Sequence, residues 1–71
     1  MKRREVIKRI KNAAKAEEDV TFDLDHEGGN HSVYKLGSCV IPIPRHNEIG
    51  EGLAREIFKQ CEDVLGKDWW R

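Results

Sequence analysis

His31 is the side chain of this sequence best placed to move a proton. It follows Gly28-Gly29-Asn30, where the residue types signal a tight turn leading into a strand. A side chain at such a turn exit is exposed, and the glycines let another backbone or a phosphate come close. Imidazole changes charge near neutral pH, the requirement for general acid–base work. A solvated histidine at a hairpin exit is the plainer alternative. Arg45 and His46 follow Pro44 in a polar stretch, and a guanidinium there can grip a phosphate bidentately. An ordinary loop arginine is the alternative.

Other chemistries lack their signatures. His26, His31, His46, Cys39 and Cys61 show no Cys-x-x-Cys or His-x-x-x-His spacing, so no metal site and no cofactor is expected. No phosphate-binding glycine loop and no serine nucleophile elbow occurs. Asp23 and Asp25 share the solvent face of a predicted strand, which is the usual pattern of a solubilising edge. Cys39 and Cys61 sit inside apolar patterns and are expected to be reduced core residues.

The elements that must hold these residues follow from periodicity. Residues 2–18 have helical spacing, with Val6, Ile7, Ile10, Ala13 and Ala14 on one side and Arg4, Lys8, Lys11 and Lys15 on the other. Residues 20–25 alternate, placing Val20, Phe22 and Leu24 on one strand face. Glu27 to Asn30 forms a turn whose glycines can take positive φ. His31 to Leu36 alternates again, with Ser32, Tyr34 and Leu36 on one side. After Gly37-Ser38, residues 39–43 put Cys39, Ile41 and Ile43 together. Pro42 and Pro44 keep that strand at an edge.

Arg45 to Gly50 is a predicted loop. Glu51 to Leu65 is a second helix, with Leu53, Ala54, Ile57, Phe58, Cys61, Val64 and Leu65 inward and Gly66 as its left-handed cap. Two readings of Trp69-Trp70 stand: packing back on this chain, or contact with a partner or with bases. The order is an α+β fold, α-β-β-β-α, with a three-stranded antiparallel sheet and both helices on one face. Double-stranded-RNA-binding domains have this shape. The chain reads as a single domain over 1–71.

Length and charge bound the function. The 71 residues leave no room for a second domain or a large cofactor fold. No apolar run reaches the ~18 residues a membrane span needs, and Met1 leads into Lys-Arg-Arg. A soluble cytoplasmic protein is therefore expected. Thirteen basic and thirteen acidic residues cancel, but not locally. Residues 1–16 hold seven basic groups and one acid, whereas residues 17–31 hold six acids and no Lys or Arg. Fields this close act separately, because screening falls off over about 8–10 Å at physiological salt.

The motifs together resemble the HicA family of mRNA interferase toxins from bacterial toxin–antitoxin systems. The matching pieces are Met1 to Ile10, Gly28-Gly29-Asn30-His31-Ser32-Val33-Tyr34, Val40-Ile41-Pro42-Ile43-Pro44-Arg45-His46 and Leu53 to Gln60. The most specific are Gly-x-x-His and Pro-Arg-His on successive strands, followed by Leu-x-Arg-x-Ile. Two features depart from the family's pattern: the neutral overall charge, and the acidic stretch from Glu17 to Glu27. Trp69-Trp70 lies beyond it.

The resemblance implies a metal-independent endoribonuclease with His31 as its catalytic residue. It also implies a HicB-like antitoxin partner, usually in a larger heteromeric complex. In that mechanism His31 takes the proton of a ribose 2′-OH, and the oxygen attacks the adjacent phosphate. Lys8, Lys11, Lys15, Arg45 and His46 are the expected RNA contacts. The rival expectation is a non-catalytic RNA-binding or antitoxin-titrating module. With a neutral balance few phosphate contacts are available, so RNA binding should be weak.

Overall fold

The computed structural model describes residues 1–71. Its elements are α1 (Arg3–Lys15), β1 (Phe22–Glu27), β2 (His31–Leu36), β3 (Cys39–Pro44), α2 (Glu51–Gln60) and the short α3 (Glu62–Leu65). The three strands form one antiparallel sheet in the order β1-β2-β3. This is the expected α-β-β-β-α layout. No helix is long and apolar enough to cross a membrane.

Helix α1 is shorter than its apolar spacing suggested. It stops at Lys15, before Glu17-Glu18-Asp19, and carboxylates at a helix C-terminus oppose the macrodipole. Its inward face is Val6, Ile10 and Ala14, four residues apart and all buried, while Ile7 and Ala13 lie at the flank. The second helix is interrupted at Cys61, whose N–H bonds to the Phe58 carbonyl three residues back and tightens the turn. Its buried stripe is Ala54, Ile57, Phe58 and Cys61. Leu53 lies about a quarter-turn away from the centre of that stripe and stays 46% exposed, against expectation.

The core joins these stripes to Phe22, Leu36, Ile41, Ile43 and Ile49. Each fully buried Ile or Leu contributes about 1.5–3 kcal/mol. Ser32, Tyr34 and Leu36 of β2, and Cys39, Ile41 and Ile43 of β3, face the helices as their alternation requires. β1 departs from its alternation. Only Phe22 is buried there, stacked on Tyr34 at 4.8 Å between ring centroids, and Leu24, in the middle of this edge strand, is 48% exposed.

The tail folds back on its own chain. Trp69 and Trp70 both pack on Phe58, and the Trp69 indole N–H donates to the Phe58 carbonyl at 2.8 Å. Cys39 and Cys61 are free thiols; burial pushes Cys61 up to about 12, so it stays protonated. The backbone with positive φ falls at Gly37, Gly66 and Asp68, not at Gly28 or Gly29. Gly66 has φ 97° and ψ 155°, so it ends the helix without the left-handed cap geometry expected.

Candidate functional site

The Gly28–Asn30 turn is fixed from three sides. Its own hairpin is closed by the Gly28 N–H donating to the His31 carbonyl at 2.9 Å. From β3, Pro44 pairs with His31, and the Arg45 N–H donates to the Asn30 carbonyl at 3.3 Å. The Arg45 side chain then spans the turn. Its Nε donates to Glu27 Oε1 at 2.9 Å, Nη1 donates to the Gly29 carbonyl at 2.8 Å, and Nη2 donates to the Gly28 carbonyl. Three acceptors met by three different nitrogens suit the fork of N–H donors that a guanidinium carries.

The same carboxylate links the turn to the helical layer. Glu27 Oε1 accepts from the Ser32 hydroxyl at 2.8 Å, and Ser32 Oγ accepts from Arg3 Nη2 at 2.8 Å. Arg3 Nε donates to the Pro44 carbonyl at 2.9 Å, which ties α1 to the end of β3. Ser32 is 2% exposed, so its hydroxyl requires these partners, and no buried side-chain N or O lacks one. The Ser32 hydroxyl, then the Arg45 and Arg3 cations, hold the Glu27 carboxyl below its ordinary range.

His31 stands on the outside of this frame. It is exposed, its ring has no hydrogen bond within the chain, and its backbone is held on both sides. It shares the open face of the sheet with Val33 and Lys35, and Lys35 lies opposite Asp23. His46 is exposed in the loop beyond Arg45. Arg45 has a different task from the free phosphate grip expected of it. Most of its fork is engaged in holding the turn, so it positions His31 and leaves only part of its donor set outward.

Lys8, Lys11 and Lys15 are not brought to His31. They project from the outer surface of α1, whose opposite side is buried against the sheet, so the core lies between them and the open sheet face. None of the three forms an ion pair. The basic groups bonded into the turn's frame are Arg3 and Arg45, and Lys35 shares the open face with His31. Arg3 also lines a concavity of about 340 Å³ with Lys2, Arg4 and Asn47, which has no apolar lining. A second depression of about 270 Å³ lies between the helices and the tail, where Arg9, Arg55 and Arg71 surround Ala54, Phe58 and Trp70.

Sequence reasoning missed Arg3, Ser32 and Glu27 as parts of the site. Ser32 carried a signal: it is a polar residue at an inward position of an alternating strand, so it had to find partners. Nothing in local spacing marked Arg3, whose partners are 29 and 41 residues away. No three His, Cys, Asp or Glu side chains are placed together as metal ligands would be. No protein-family model matches the chain, and no curated protein or solved structure matches it.

Proposed function

We propose that this chain is a metal-independent endoribonuclease of the HicA toxin kind, with His31 as the general base toward a ribose 2′-OH. The observation that carries the proposal is an exposed, unpartnered imidazole on a turn held rigid by Arg45, Glu27, Ser32 and Arg3. Solvated surface histidines do not need such a frame; a base that must meet a proton within hydrogen-bond reach does. The resemblance of the Gly-x-x-His and Pro-Arg-His segments to HicA toxins supports the same reading. It extends it to mRNA as substrate, a HicB-like antitoxin as partner and a cytoplasmic setting.

The chemistry is balanced without a cofactor. His31 takes the 2′-OH proton as the 2′-oxygen bonds to phosphorus, and the 5′-oxygen leaves as it takes a proton from water or an acid across the phosphate. The products are a 2′,3′-cyclic phosphate and a 5′-OH. Lys35 and the outward part of Arg45 are the cations that phosphates would meet beside the turn. Purified protein incubated with end-labelled RNA in EDTA tests this. Cleavage should persist in EDTA, spare DNA and fall with His31→Ala. Equal cleavage by His31→Ala, or complete inhibition by EDTA, would reject it.

One observation favours the rival reading. Lys8, Lys11 and Lys15 are unpaired, and they form a stripe remote from His31. A non-catalytic module could dock RNA through that helix alone. Binding then would be lost in the triple Lys→Gln variant and untouched by His31→Ala.

A further inference from the structure

A second histidine is carried to the same face by an irregularity in β1. Phe22 pairs with Leu36, Asp23 with Lys35 and Leu24 with Tyr34; then the register slips, and His26 pairs with Val33 and Glu27 with Ser32. Asp25 is the extra residue of a bulge. In unbroken register Asp25 would face Val33, and His26 would lie opposite Ser32 on the helix-facing side. The bulge turns Glu27 inward, where it meets the Ser32 hydroxyl, and turns His26 outward.

Residues directly opposite in an antiparallel pair share a face, and His31 is two positions before Val33. His26 and His31 are therefore diagonal neighbours on the open face, about 7–8 Å apart by the usual strand geometry. His26 has one side-chain partner. Its Nδ1 is bonded to Asp25 Oδ2 at 2.8 Å, which leaves Nε2 as its open nitrogen. That bond, with the charge of His26, holds the Asp25 carboxyl below its ordinary range.

We propose that His26, positioned by Asp25, is the general acid of the reaction in which His31 is the base. The inference rests on the ribonuclease reading of His31. In-line displacement at phosphorus puts the attacking and leaving oxygens on opposite sides, so two proton-transfer groups must flank the phosphate. A diagonal pair of imidazoles does that. As the 2′-oxygen bonds to phosphorus, His31 takes its proton; as the bond from phosphorus to the 5′-oxygen breaks, protonated His26 gives Nε2–H to that oxygen. Solvent water then restores both rings. Lys35, two positions beyond Val33 on the same face, sets a positive charge near the phosphate.

The test compares two substrates in the same sequence: RNA with its ordinary linkage, and RNA with a 5′-bridging sulfur at the cleaved position. A thiolate leaves without a proton. His26→Ala and His26→Gln should cleave ordinary RNA about 10²–10⁴-fold more slowly, yet cleave the sulfur linkage within about threefold of the native rate. His31→Ala should lose both. Native rates on ordinary RNA in both His26 variants would overturn the proposal and leave the ribonuclease reading intact, as would equal losses on the two substrates. A native protein inert toward both substrates would overturn the ribonuclease reading and this proposal with it.

Discussion

Two regions of the molecule use their cations in opposite ways. Around the turn that carries His31, Arg3 and Arg45 are committed to fixed acceptors: a hydroxyl, a carboxylate and three backbone carbonyls. On the helical layer, Lys8, Lys11 and Lys15 extend into solvent with no partner. Fixed bonds define where one imidazole sits, and free lysines define only a field. The first arrangement suits chemistry, where a small misplacement is costly. The second suits attraction of a polyanion of any sequence. A position-sensitive site and a position-tolerant one should respond differently to substitution.

The strongest way to separate them is Arg45→Ala. It frees the Gly28 and Gly29 carbonyls and should lower RNA cleavage by about 10²-fold through misplacement of His31. Arg45→Lys should rescue little, because an ammonium cannot span three acceptors. Rate measurements at saturating RNA, with circular dichroism to verify the fold, check this.

Next in size is Ser32→Ala. It removes the hydroxyl between Arg3 and Glu27 at a 2% exposed position and should cost about 1–3 kcal/mol in urea unfolding. Stability equal to that of the native protein would mean that the chain of bonds from α1 to the turn carries no weight.

Replacing Lys8, Lys11 and Lys15 together by Gln should have a smaller and different effect. For a single strand, each phosphate that a lysine no longer neutralises flattens the slope of log K against log salt by roughly 0.7, so full engagement of all three would give about 2. Cleavage at saturating RNA should stay unchanged. A drop in the maximal rate would merge the two surfaces into one site.

The smallest effect is on acid stability. Glu27, Glu48 and Glu62 are all held below the ordinary glutamate value of 4.5, and Asp25 below 3.8. Folded values below unfolded ones mean stability that is fully present above those figures and lost as pH falls through the folded values. These groups are exposed, so the slope is shallow. Melting temperature should fall as pH is lowered from 5 to 2, and Glu27→Gln should reduce that dependence.

The division between legible and illegible features follows the range of the interactions. Val6, Ile10 and Ala14 on α1, and Ser32, Tyr34 and Leu36 on β2, follow from repeats within a few residues, and so the layered fold could be read directly. The bulge at Asp25 could not, because it is a property of the pairing between β1 and β2 and lies just past the alternation of Val20, Phe22 and Leu24. The exposed place of His31 at a turn exit was readable from Gly28-Gly29-Asn30. Its supports were not, since Arg3, Ser32, Glu27 and Arg45 meet only once the sheet has formed. The lysine stripe was readable as a stripe, but its separation from His31 emerges only from the layering.

His31 on its locked turn is the proposed base of an RNA-cleaving site. Mass spectrometry of RNA digested by the native protein and by His31→Ala, at equal concentration and verified fold, tests it most directly. Fragments ending in 2′,3′-cyclic phosphate and beginning with 5′-OH should form with the native protein and fall about 10²–10⁴-fold with the variant. The same fragments at the same rate from both proteins, or 5′-phosphate ends from the native one, would contradict it.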